Sequence, residues 1–488
     1  MGIFANPLTD LLEYEDFSRD FLKGTDPVGM TGCIDSEKVH FMSTFLGEKK
    51  VQLVVTYNEQ RAREIEEDYK LFCSQVYVIP PRDLIFFSAD LQGNAIIAER
   101  MKAFAALYQN EAKVIITTMD ALMSAAVPFE QLMSHVIKLK EGDELDLEKL
   151  KHDLTVMGYE RVGRVEEPGQ FTVHGGIADV YPLTMEVPVR IELWGDEIDT
   201  IRCFEPQSQR SMDQIECVSV FPAAEVIADD TARRRAVGMI QNELESQLAV
   251  FKKVKEPDKA KRLREETNRI LEALGEDVVL EAPDSYISYF YPRTVQLSEY
   301  FDEKNTLVFL DEPMRLKERG DGVQAEFEES MKNRLEQGFL LPGQTALLTP
   351  AKHVLAAFER GQVAALSSLD SRLADFTVVN SYAVNVQNMN TYREGFELLI
   401  KDLTHWKKEK YRVVLLCPSR TRANRIVNQL IEYDLLAYYS EDEDKKINPG
   451  EIMVTYGNLH RGFLYPMLKF AVITESDIFG VKKKKKEK

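Results

Sequence analysis

A chain of 488 residues, 44% hydrophobic and 29% charged, has material for about three globular domains. Its formal net charge of −19 excludes broad, nonspecific adhesion to nucleic acid, which needs positive surface to release phosphate counterions, and leaves room only for a local basic patch. No apolar run approaches ~18 residues and no signal peptide opens the chain, so a cytoplasmic protein without membrane insertion is expected. Cys33, Cys73, Cys203, Cys217 and Cys417 show no CxxC spacing and read as reduced thiols, and the seven histidines form no HxxxH or HExxH pattern, so no metal is expected.

The first 130 or so residues alternate β-rich runs, Val51–Thr56, Val76–Ile79 and Val114–Thr118, with helical segments at 59–72 and 95–109. That alternation predicts a parallel sheet covered by helices. Ahead of it, the frame GxxxxGK[ST] of a phosphate-binding loop can be laid on the chain from Gly32. The frame fails where Glu37 replaces the second glycine, adding negative charge against a polyphosphate, and where Val39 replaces the hydroxyl that would hold magnesium. Lys38 alone survives and is expected on a solvated helix face.

Residues 158–211 read as strands and tight turns. Gln170–His174 alternates, with Phe171 and Val173 on one side and Thr172 and His174 on the other, and Gly175-Gly176 turns the chain. Val189–Trp194 puts Val189, Ile191 and Leu193 on the buried face, so Arg190, Glu192 and Trp194 share the face towards water. Gly195-Asp196 supplies a hairpin turn into Glu197–Phe204. A tryptophan and an arginine on one exposed face suit protein docking; packing under a neighbouring domain is the alternative for the indole.

Residues 229–274 are charged and helical, broken near Pro257, with most of the charge expected in solvent. The apolar run that begins at Thr306 and ends in Asp311-Glu312 has the form of a Walker B strand, its acids vestigial without a phosphate loop to serve and expected to cap the turn at Pro313. The last region repeats the α/β pattern. Strands are expected at 412–416, 452–455 and 470–474, with a helix following Pro418-Ser419 through Tyr433. Arg420, Arg422 and Arg425 near that helix start either meet a phosphate or form a solvated face. The chain ends in a lysine block at 482–486, read as a basic linker or tail.

The spaced string GYERV, PGQF, GGI-D-YP, PVRIE, GDEID-IR-F and QRS in residues 158–211 resembles the domain shared by the bacterial excinuclease component UvrB and the transcription-repair coupling factor, which docks on the excinuclease component UvrA. In that family the docking surface includes an arginine before the GG turn, an arginine ending the PVR run and an aromatic four residues later; the matching positions here are His174, Arg190 and Trp194, with Glu192 between the last two. His174 departs from the pattern, since an imidazole has no fork of donors for a bidentate contact. UvrB carries, at the place that follows Ile79 here, a long tyrosine-rich hairpin that clamps damaged DNA. Here residues 80–88 leave no room for it, and Phe86 and Phe87 are expected in the core.

The resemblance implies an α/β fold: a degenerate P-loop, helicase-like parallel sheet (1–133 and 219–383) interrupted by a β-rich docking domain (134–218), then a small α/β domain (384–480) and a basic tail (481–488). The function it implies is that of the N-terminal scaffold of a coupling factor, recruiting UvrA to damage at stalled RNA polymerase. No catalytic residue or cofactor is expected in this segment; ATP and magnesium, and the contacts with RNA polymerase and DNA, belong to the parent family's later domains, including its motor. Two alternatives stand beside it: an ATP-dependent damage-recognition protein like UvrB, and an α/β protein that holds a phosphate ligand near Ser419.

Overall fold

The computed structural model describes residues 7–48, 50–82, 91–275, 283–370, 376–392, 395–442 and 445–479; Phe86, Phe87 and the 482–486 lysine block lie outside them. Seven strands form the first sheet in the order Asn380–Ala383, Val28–Thr31, Val363–Ser367, Thr306–Asp311, Val51–Thr56, Val114–Thr118 and Val76–Ile79. Each neighbouring pair is parallel. The central strand, Thr306–Asp311, is buried at all of its positions, as an apolar run without alternation must be when helices cover both faces. Its partners therefore come from both ends of a long stretch of sequence, 51–56 on one side and 363–367 on the other.

The stretch between them carries two further structures. Ile137–Lys140 leaves the first sheet's surroundings and Cys217–Val220 returns antiparallel to it, with Leu139 opposite Val218. Enclosed by this pair is a six-stranded sheet in the order Ser211–Gln214, Glu197–Phe204, Val189–Trp194, Ile177–Val180, Gln170–His174 and Glu160–Arg161. It is antiparallel except at its last pair. The helix Leu147–Val156, capped by the Asp146 carboxylate on the Glu148 and Lys149 amides, lays Leu150 and Leu154 on the inner face against Phe171, Val180, Val189 and Ile191. The helices Asp230–Lys253 and Pro257–Gly275 follow, broken at the expected proline, and bury Ile240 and Phe251 together with Leu263 and Ile270.

The third sheet has the order Gln387–Asn388, Phe463–Tyr465, Phe470–Thr474, Arg412–Cys417, Ile452–Tyr456 and Ala437–Tyr439. It is seated on the first through residues 460–465. The Tyr465 hydroxyl donates to Glu37 Oε1 at 2.7 Å and lies 3.0 Å from His40 Nδ1. The His460 amide donates to Asp68 Oδ1 at 2.5 Å, and the Arg461 amide to the Ser36 hydroxyl at 2.9 Å. Cys33, Cys203 and Cys417 are buried thiols, Cys73 is half-buried and Cys217 is exposed. No helix among the described residues is long and apolar enough to cross a membrane.

Burial pushes Glu37 up to about 7 against the opposing effect of its Tyr465 and Ile34 hydrogen bonds. Burial likewise pushes Asp68 up to about 7. Both carboxyls thus hold a proton in the folded chain that the unfolded chain has already lost. The stability they contribute is complete below their unfolded pKa values, near 4.5 and 3.8, and is lost as pH rises through about 7. The thermal midpoint is expected to fall between about pH 5 and about pH 8, and Glu37→Gln with Asp68→Asn should flatten that fall; an equally steep decline in the double variant would show that these groups do not cause it.

Candidate functional site: a docking face and a buried ion-pair cluster

Strand register brings the expected docking residues together on the outer face of the six-stranded sheet. Ile177 pairs with His174 on one side and with Glu192 on the other. One step along, Asp179 lies between Thr172 and Arg190, and Arg190 lies opposite Arg202. Because these two rows are two residues apart along each strand, they share a face. The Gly175-Gly176 and Gly195-Asp196 turns fall where glycine was expected to serve them, with Gly175 and Gly195 at positive φ. Trp194, paired with Glu197 at the second turn, is 84% exposed. No neighbouring part of the described chain covers it.

The face is less uniform than alternation suggests. Arg190 and Glu192 are half-buried, and Arg190 is already occupied. Its Nε and one Nη each donate to the buried Asp179 carboxylate at 2.8 Å, and its guanidinium lies 4.8 Å from the Phe204 ring centre. Phe204 in turn packs with Val165 and Tyr181, and Val162 lies against them, so the connection before Gln170 covers that end of the sheet. The Asp179 hydrogen bond and charge raise the Arg190 pKa. Glu192 accepts from the Thr200 hydroxyl at 3.1 Å. Of the residues expected to dock, His174 and Trp194 are exposed, and Ile177 beside them is 40% exposed. Sequence reasoning passed over Asp179 and Phe204. Asp179 stands within the GGI-D-YP string, but its pairing with Arg190 becomes visible only once the hairpin register is known.

Around the second set of expected residues the structure corrects the sequence reading. Lys38 is not on a solvated face; it is 3% exposed, and its Nζ donates to Asp311 Oδ1 and to Glu312 Oε1, both at 2.6 Å. Asp311 also accepts from the Thr56 hydroxyl at 2.8 Å and faces the Arg61 Nε at 3.4 Å. Burial alone would raise the Asp311 pKa, but Lys38 and Arg61 hold it below the usual carboxylate value. Glu312 sits at the helix start before Pro313 with φ of 55° and makes no side-chain cap; its carboxylate takes Lys38 and the Ser368 amide at 2.8 Å. These acids are therefore partners of Lys38.

The loop that would wrap a phosphate is also closed from outside. Gly32 has φ of +83°, and a Cβ there would lie 2.0 Å from the Val384 carbonyl oxygen, so this glycine is required by a close backbone approach. Val39 is fully buried in the core. Glu37 folds back to accept from the Ile34 amide at 3.1 Å while Tyr465 takes its other oxygen.

In the last domain, Ser419 caps its helix by accepting from the Arg422 amide at 3.3 Å. Arg420 pairs with Glu441 at 2.5 and 2.8 Å, Arg422 pairs with Glu475, and Arg425 is exposed. The first two guanidiniums are thus committed to carboxylates beside the helix start.

Comparison with known proteins matches residues 137–225 to the UvrB interaction domain and residues 405–478 to the D3 domain of MFD. The first match opens on the strand that leaves the first sheet and ends just past the strand that returns. Over its whole length the chain is similar to the transcription-repair-coupling factor of Bacillus subtilis (strain 168), 28% identical over 487 residues, covering 99% of this chain and 41% of the relative. The factors of Staphylococcus epidermidis (strain RP62A) and Staphylococcus haemolyticus (strain JCSC1435) are each 28% identical, covering 100% and 96% of this chain and 41% and 39% of themselves. The chain thus spans about two-fifths of the length of the relatives it matches. A UvrB interaction domain, a D3 domain and end-to-end similarity relate this chain to an N-terminal region of the transcription-repair-coupling factor family.

Proposed function

We propose that the chain is a scaffold in transcription-coupled nucleotide excision repair that recruits UvrA through the turn end of the six-stranded sheet. The observation that carries this reading is Trp194, an indole left 84% exposed on a strand hydrogen-bonded along both edges. A large aromatic carried on a paired strand and left uncovered is the residue type that dominates binding when a partner desolvates it. Exposed Ile177, opposite Glu192 on the Trp194 strand, and His174, opposite Ile177, lie on the same face. Arg190 supports the face as a pre-oriented cation whose Asp179 and Phe204 contacts fix the guanidinium before a partner arrives, which reduces the ordering cost of binding.

The same reading makes the Lys38 cluster a lost nucleotide site. A polyphosphate would have to displace two carboxylates from Lys38 and enter beside Glu37, so neither positioning nor charge neutralisation would be available for phosphoryl transfer. We assign no catalytic residue and no ATP or magnesium site to the described residues. In this reading ATP use and the contact with RNA polymerase belong to the parent family's later domains, as does DNA translocation.

Trp194→Ala is expected to weaken binding of purified UvrA by about 30-fold, or ~2 kcal/mol, with the fold unchanged by circular dichroism. Full affinity in this variant would overturn the docking reading. Arg190→Ala should also lower the melting temperature, because it leaves the buried Asp179 carboxylate unpaired at a cost of about 1–3 kcal/mol.

For the cluster, titration calorimetry with magnesium-ATP should show no binding, and Lys38→Ala should destabilise the chain by roughly 3–5 kcal/mol by stranding buried carboxylates. Saturable ATP binding that Lys38→Ala abolishes would favour an ATP-dependent damage-recognition protein instead.

A further inference from the structure

The charge of the helical pair is unevenly placed. Residues 252–264 hold seven lysines and arginines against two acids, in a chain whose net charge is −19. Lys252 and Lys253 close the helix Asp230–Lys253, where cations are favoured by the helix dipole. Lys259, Lys261, Arg262 and Arg264 fall in the first two turns of the helix Pro257–Gly275, where the dipole disfavours them. Part of this charge has a structural use. Arg262 donates to the Gln337 carbonyl at 2.9 Å and lies 4.6 Å from the Phe339 ring centre. Lys259 and Lys261 pair with Glu256 and Glu265 at 3.4 and 3.8 Å.

Lys252, Lys253, Lys255 and Arg264 are exposed and have no acid partner among the described residues. Three of them, Lys252, Lys255 and Arg264, join Lys261 around a surface cavity of about 630 Å³ floored by Leu248 and Phe251. Lys261 and Arg264 are three apart and project from one side of their helix. The tip thus gathers cations from two helices at the start of the second, whose free backbone N–H groups also attract anions.

We propose that this tip binds the phosphate backbone of duplex nucleic acid, as a local basic site on an otherwise acidic protein. Lysine ammoniums neutralise phosphates as point charges without a fixed orientation, so contact here is independent of base sequence. Val250 and Val254 are exposed beside the tip, which makes an acidic protein surface the rival occupant.

The test is binding of the full chain to a mixed-sequence DNA duplex over a range of salt, beside the triple variant Lys252→Gln, Lys255→Gln, Arg264→Gln. The wild type should bind at low salt with an affinity that falls steeply as salt rises. The variant should bind about tenfold or more weakly, with a log–log salt slope shallower by about three. No binding by the wild type at low salt, or unchanged affinity and slope in the variant, would overturn the proposal. So would tip-dependent binding of poly-glutamate without binding of the duplex, which would assign the tip to a protein partner.

Discussion

An ammonium group withdrawn from water must find carboxylates, because an unpaired buried charge costs several kcal/mol. Lys38 finds Asp311 and Glu312, 273 and 274 positions further along the chain. Thr56 and Arg61 complete the cluster, so the helices Asp35–Ser43 and Glu59–Tyr69, the strand Val51–Thr56 and the central strand of the first sheet all meet at one group of charges. Hydrophobic packing alone tolerates small slips between parallel strands. A buried, hydrogen-bonded pair with both oxygens of Asp311 in use does not. The residues between 119 and 305 can therefore vary in content only so long as they return the 306–311 strand to this register.

The β-rich module meets that requirement by entering and leaving on adjacent antiparallel strands, 137–140 and 217–220. Its own core, between the sheet and the helix Leu147–Val156, is separate from the cluster. The six-stranded sheet thus packs independently of the ion pair that holds the first sheet. On the outer face, the half-buried Arg190–Asp179 pair and Phe204 stiffen one end of the sheet while the turn end stays open, an arrangement that suits docking against a rigid platform.

The third sheet contributes to the same region from outside. Tyr465 and the 460–461 backbone hydrogen-bond to Glu37, Asp68 and Ser36, and His40 stacks on Phe463 with ring centres 5.1 Å apart. Residues 33–40 and 460–465 form an interdomain contact in which side chains of the first segment meet side chains and backbone of the second. Glu37, which stands where the phosphate-loop frame needs a glycine, is among the residues that this contact uses.

Much of the fold was legible from local pattern. Val51–Thr56 and Val114–Thr118 are rich in β-branched and apolar residues, and the structure has strands with those bounds; the strand that begins at Thr306 ends at Asp311, one residue short of Glu312. The turns at Gly175 and Gly195 followed from a Gly-Gly and a Gly-Asp pair, and the outward face of Trp194 from a period of two; that no described part of the chain covers the indole is a matter of tertiary structure. Asn380–Ala383 escaped notice because three of its four residues are exposed and it carries no apolar alternation. Periodicity reports which side of an element is apolar, and so it determined the strands, the helical pair and the face that carries Trp194. It is silent on partners chosen across hundreds of residues. The burial of Lys38 against Asp311, the capture of Arg190 by Asp179 and the closure of Glu37 by Tyr465 were decided by tertiary structure alone, because charge pairing depends on distances that only register and packing set.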